Sequence, residues 1–117
     1  MEHKAQIVII NADLLKIRGE KRSKRRNIKS LRSGIKDLIN EQYVLNKYID
    51  EEIKNSYDKD SLKENVERIT KQIKDIESVI EKEEIGIIQL NEVIDTLENR
   101  KCQLEEILRL TGNPPQE

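Results

Sequence analysis

The stretch LKENVERITKQIKDIESVIEKEEIGIIQLNEVIDTLENRKCQLEEIL, residues 62–108, decides the architecture. Aliphatic side chains recur in it at alternating spacings of three and four, at Leu62, Val66, Ile69, Ile73, Ile76, Ile80, Ile87, Leu90, Ile94, Leu97, Leu104 and Leu108, with Glu83 and Lys101 as the two interruptions. Twelve of the fourteen a and d positions are therefore aliphatic and the phase never slips, which is the pattern of a helix that packs along its length against another helix. At 1.5 Å per residue such a helix is about 70 Å long. Val79, Ile85, Ile88, Val93 and Ile107 lie beside the stripe and widen it, so part of the helix is expected to meet more than one neighbour. Gly86 next to Glu83 is a place for a kink, but the unbroken phase predicts a helix that runs through it.

Outward from this segment, Thr111-Gly112-Asn113-Pro114-Pro115 supplies a glycine cap and two prolines that end the helix and leave residues 111–117 as a disordered tail. On the other side, Asn55-Ser56-Tyr57-Asp58-Lys59-Asp60-Ser61 reads as a turn, with Asp60 or Ser61 as the cap. Before it, Ile28, Leu31, Ile35, Leu38, Leu45 and Ile49, with Gln42 as one polar member, define a helix from a cap at Asn27 to about Asn55. This helix is expected to pair with the long one as an antiparallel hairpin, and two hairpins in a dimer would make a four-helix stalk.

The first 27 residues read differently. Ala5-Gln6-Ile7-Val8-Ile9-Ile10 is rich in β-branched residues and is followed by Asn11, a good N-cap, and Asp13 in the first turn of a helix carrying Leu14, Leu15 and Ile17. Gly19 and the run Glu20-Lys21-Arg22-Ser23-Lys24-Arg25-Arg26 dilute that helix, which is expected to end in the low twenties. A single strand has no partner in a chain that is otherwise helical, so residues 5–10 are expected to pair with their copy in a second chain.

The formal charge of −1 conceals a division. Residues 1–36 hold eleven Lys/Arg against three Asp/Glu, and the rest of the chain holds eleven against twenty. A basic end beside an acidic body points to a polyanion-binding head and a body with another task.

Strand, short helix, basic turn and second helix, with a strand that pairs only across a dimer, is an order that resembles the ribbon-helix-helix DNA-binding family. Val8-Ile9-Ile10-Asn11-Ala12-Asp13-Leu14-Leu15 looks like the ribbon's end and the first helix's start, and Ser30-Leu31-Arg32-Ser33-Gly34-Ile35 like the start of the second helix's repeat. The resemblance implies a dimeric ribbon in the major groove of double-stranded DNA, with phosphate held at the second helix's amino end. Lys4, Gln6, Lys21, Arg22, Lys24, Arg25, Arg26, Asn27, Lys29, Ser30 and Arg32 are the DNA-contact candidates. Ile7, Val8, Ile9, Ile10, Leu31, Ile35 and Leu38 are the dimer-contact candidates. Four consecutive apolar residues leave the ribbon's register open: either Ala5, Ile7 and Ile9 face the groove, or Lys4, Gln6 and Val8 do, with Gln6 able to read adenine.

The expected fold class is therefore mainly α, an N-terminal ribbon-helix-helix head over residues 1–55 with one intermolecular strand per chain, and an antiparallel coiled-coil stalk helix over residues 56–110. A basic head on a long acidic stalk looks like the relaxosome accessory factors of Gram-positive conjugative plasmids. That likeness implies a homodimer that binds and bends origin-of-transfer DNA and recruits the relaxase through its stalk. A ribbon-helix-helix repressor and a coiled-coil adaptor or chaperone that binds no DNA are the alternatives. A paired strand at residues 5–10 favours DNA binding, and a helical start favours the adaptor.

Catalysis has no support in the composition. Three tyrosines are the only aromatics, His3 and Cys102 stand alone, and no glycine-rich phosphate loop occurs, so no enzyme, cofactor or metal is expected. A lone cysteine and the lack of a long apolar segment or leader-like start fit a cytoplasmic protein away from membranes.

Overall fold

In a computed structural model, which describes residues 2–51 and 56–111, the chain consists of two long helices, α1 (His3–Glu51) and α2 (Ser56–Leu110). The mainly α class holds, and no helix among the described residues is long and apolar enough to cross a membrane. The fold divides into two compact units, each built from both helices: unit 1 is Met1–Arg25 with Ile85–Glu117, and unit 2 is Arg26–Glu84.

In each unit the helices run antiparallel. Unit 1 packs Ile10 and Leu14 of α1 with Ile94 and Leu104 of α2, flanked by Ile7, Ile17 and Leu97. Leu104 is fully buried. Arg18 pairs with Glu98 beside this core. In unit 2 the buried residues among those described are Ile28, Ile49, Ile69 and Ile80. Arg32 pairs there with Glu84 at 3.1 Å, and Gln42 donates to the Thr70 hydroxyl. The two Arg–Glu pairs are fourteen residues apart on both helices, so each unit obeys the same heptad register.

All fourteen expected seam positions of α2 are buried or half-buried, Glu83 and Lys101 included. The helix continues through Gly86. There the Lys24 stem passes close enough that an added Cβ would lie 3.2 Å from its Cε and Nζ. Glu83 is accommodated in unit 2 by accepting a hydrogen bond from the Asn27 amide at 3.1 Å.

The start of the chain departs from expectation. Residues 5–10 form no strand: they lie in α1, whose first backbone bonds reach back to Glu2, where Gln6 N–H donates to its carbonyl at 3.1 Å. The β-branched content of Ile7 to Ile10 carries only a weak, context-dependent strand preference, and a helix satisfies its own backbone without a partner chain. It also places Ile7, Ile10, Leu14 and Ile17 at spacings of three and four against α2, where the buried Ile10 and Leu14 each stabilise by about 1.5–3 kcal/mol and the half-buried Ile7 and Ile17 by less.

Nor is there a break in the low twenties or a cap at Asn27, because α1 is one helix from His3 to Glu51. The seam that begins at Ile28 extends backward in phase through Lys24, Lys21, Ile17, Leu14, Ile10 and Ile7, and every one of these is buried or half-buried. Lysine can occupy such positions because its methylene stem packs while the ammonium at its end keeps water or a polar partner. Lys, Arg and Glu are good helix formers, and the single Gly19 costs about 1 kcal/mol, too little to stop a helix with tertiary support.

At the other end, α2 begins at Ser56, so Asp60 and Ser61 lie within its first turns instead of capping it. The expected helix end at Asn55 and the tail at residues 112–117 lie outside the described residues. Thr111, just past α2, donates its N–H to the Ile107 carbonyl and its hydroxyl to that of Leu108, satisfying carbonyls that would otherwise lack partners.

Candidate interaction surfaces

Two kinds of surface remain once the seam is accounted for, one basic and one apolar. In unit 1, Arg18, Lys21, Arg22 and Arg25 project from two turns of α1 and, with Leu15, Ile94 and Glu98, line an open depression of about 440 Å³. Helical spacing puts Arg18, Arg22 and Arg25 at i, i+4 and i+7, on one face. Lys21 is half-buried beside them, since it also belongs to the seam. Glu98 is the single carboxylate of the lining among the described residues and is engaged by Arg18. Both partners are about half exposed, so the pair adds at most about 1 kcal/mol.

Of the other DNA-contact candidates in unit 1, Lys4 is exposed and Gln6 and Lys24 are half-buried, Lys24 because its stem crosses Gly86. In unit 2, Arg26, Asn27, Lys29, Ser30 and Arg32 are exposed, with Asn27 bonded to Glu83 and Arg32 to Glu84. Lys36 follows Lys29 and Arg32 at the same three- and four-residue steps. The basic run is thus a helical face and not a turn. It offers no free helix amino end at residues 27–30 for a phosphate, because the N–H groups there are used inside α1.

The dimer-contact candidates divide. Ile7 and Ile10 pack inside unit 1 and Leu31, Ile35 and Leu38 are half-buried in unit 2, whereas Val8 and Ile9 face outward at 64% and 48% exposure. With Ala5, Ala12 and Leu15, these two make a second apolar face on the back of α1. Val79, Ile85, Ile88, Val93 and Ile107, which widened the stripe of α2, are all exposed.

Sequence reasoning missed several members of these surfaces. Arg18 and Leu15 were legible only once α1 was known to be helical through residue 25, and Glu98 only once the pairing register was known. Ile39, Tyr43, Val44 and Tyr48 are exposed in unit 2. Their signal was their place off the seam, with Ile39 and Tyr43, and Val44 and Tyr48, each four residues apart.

No family model, curated protein or solved structure matches this chain.

Proposed function

We propose that this chain is a helical-hairpin adaptor that self-associates through its uncovered apolar residues and displays its basic face to an anionic partner. One observation carries this reading: among the described residues eight apolar side chains are buried, while thirteen large ones remain 38–72% exposed. A helix that is apolar on both sides, as α1 is from Ala5 to Ile17, belongs inside a bundle. A helical start at residues 5–10 also favours the adaptor over a ribbon-based DNA reader. The exposed Cys102 is compatible with a reducing cytoplasm.

Sedimentation equilibrium of the full chain tests it. The expected mass is twice 13.8 kDa, falling to the monomer in Val8→Glu/Ile9→Glu with helicity retained. A wild-type monomer at about 100 μM, well above the micromolar range of stable association, would refute self-association.

A second reading is favoured by the exposed Arg22, Arg25, Arg26 and Lys29 and by the charge division between the chain's two parts. In it the chain binds double-stranded DNA through the helical basic face of α1, and its narrower form is a relaxosome accessory factor that recruits a relaxase. Fluorescence anisotropy of a labelled duplex at several salt concentrations separates the readings. Sequence-selective binding with a steep salt slope would put the DNA reading first, and no binding at low salt would remove it.

A further inference from the structure

We propose that the depression in unit 1 is a binding site for clustered phosphate groups, of the kind found in a short polyphosphate or along a nucleic-acid backbone. Among the described residues its lining carries four cations and one carboxylate. Arg18, Arg22 and Arg25 span seven residues of one helix, about 10 Å along its axis, so they suit an anion whose charge is distributed over that length. Guanidinium groups present paired N–H donors that match phosphate oxygens, and Lys21 adds a point charge between them. Leu15 and Ile94 form the apolar part of the lining, and low polarity next to the cations strengthens their attraction for an anion.

Glu98 has a specific part in this site. Its carboxylate holds Arg18 across the two helices. An arriving phosphate competes with Glu98 for the same guanidinium, so the internal ion pair lowers the affinity and raises selectivity for ligands with several charges. Removing the carboxylate therefore strengthens binding, and it does so by releasing Arg18 in place.

This site is lined by a single chain and shares only Leu15 with the apolar face of the adaptor reading, so its cations stay available whether or not that face is covered. Isothermal titration of the full chain with sodium tripolyphosphate at low ionic strength is the test. Wild-type protein is expected to bind. Arg22→Gln/Arg25→Gln should weaken binding about tenfold or more, the scale of lost charge-assisted hydrogen bonds. Lys29→Gln/Lys36→Gln, with the same charge change outside the depression, should weaken it less than about twofold, as for remote screened charges. Glu98→Gln should tighten binding about threefold, the scale of one exposed ion pair. Glu92→Gln, an equal charge change on α2 outside the lining, should not match it.

Absence of binding, equal losses from the inner and outer pairs, or equal effects of Glu98→Gln and Glu92→Gln would each overturn the site. Circular dichroism of every variant confirms that helicity is unchanged. A short DNA duplex supplies the second arm. A duplex that displaces tripolyphosphate and is itself weakened by Arg22→Gln/Arg25→Gln identifies the nucleic-acid backbone as the source of the phosphates, and a duplex that does neither identifies free polyphosphate.

Discussion

The continuity of α1 through the basic run is open to a direct test with glycine substitutions. Gly19, Gly34 and Gly86 all lie inside helices, where glycine is about 0.8–1.0 kcal/mol less favourable than alanine. A Cβ on Gly34 would meet nothing within 4 Å, and one on Gly19 would meet only Arg22 Nη2 at 4.0 Å, an ordinary contact. Gly34→Ala and Gly19→Ala should each stabilise by nearly the whole propensity difference, about 1 kcal/mol. Gly86 differs, because its Cβ would lie 3.2 Å from Lys24 Cε and Nζ and 3.4 Å from Cδ. These atoms end a flexible side chain and can shift, at a rotamer cost of about 0.5–1.5 kcal/mol that offsets the gain. Gly86→Ala should therefore be close to neutral. Thermal unfolding followed by circular dichroism measures all three, with each stabilising change raising the melting temperature by about 4 °C. The decisive result is Gly19→Ala: no change or a loss of stability would mean that the chain turns there, and the continuous helix would be wrong. Ser23→Pro reads the same question with opposite sign, since proline inside a helix costs about 3 kcal/mol or more and in a turn is tolerated.

Leu104→Ala, at a fully buried side chain, should cost about 2–5 kcal/mol, whereas Leu110→Ala at 72% exposure should stay within about 0.5 kcal/mol in the same unfolding assay. A double-mutant cycle on Arg32 and Glu84, both half exposed or more, should give a coupling below about 1 kcal/mol that disappears in molar salt. Gln42→Leu with Thr70→Val replaces a half-buried polar pair with apolar bulk and should leave stability unchanged or raised. Spin-label distances between the helices should broaden in that variant as the register loosens.

Most of the helical packing was legible from residue spacing. The stripe of α2 could be followed from Leu62 to Leu108, and every position on it is buried or half-buried. Passage through Gly86 followed from phase alone, as did the expectation that Val79, Ile85, Ile88, Val93 and Ile107 would not be covered by one helix. What misled was residue type. Lys21 and Lys24 sit in the seam of α1, but as charged residues in a basic run they hide the phase that joins Ile28 to Ile17. Without that join, Ala5 to Ile10 reads as a strand and residues 19–27 as a turn. The basic candidates were in view throughout, but not their grouping around Leu15, Ile94 and Glu98, since helical spacing places Arg18 with Arg25 and only pairing places Glu98 beside Arg18.

Two features follow from residue order alone: the chain is dominated by helices with a repeating apolar seam, and its charge is divided along its length. Both are local properties, written in spacing and in charge counts. The state of residues 5–27 is set by packing, because a run of β-branched and basic residues has no strong intrinsic preference and takes the form that buries Ile10 and Leu14 and half-buries Ile7 and Ile17 against α2. Tertiary packing also decided which cations share a surface with a carboxylate, since Arg18 and Glu98 are eighty residues apart and meet only because the helices pair antiparallel in one register.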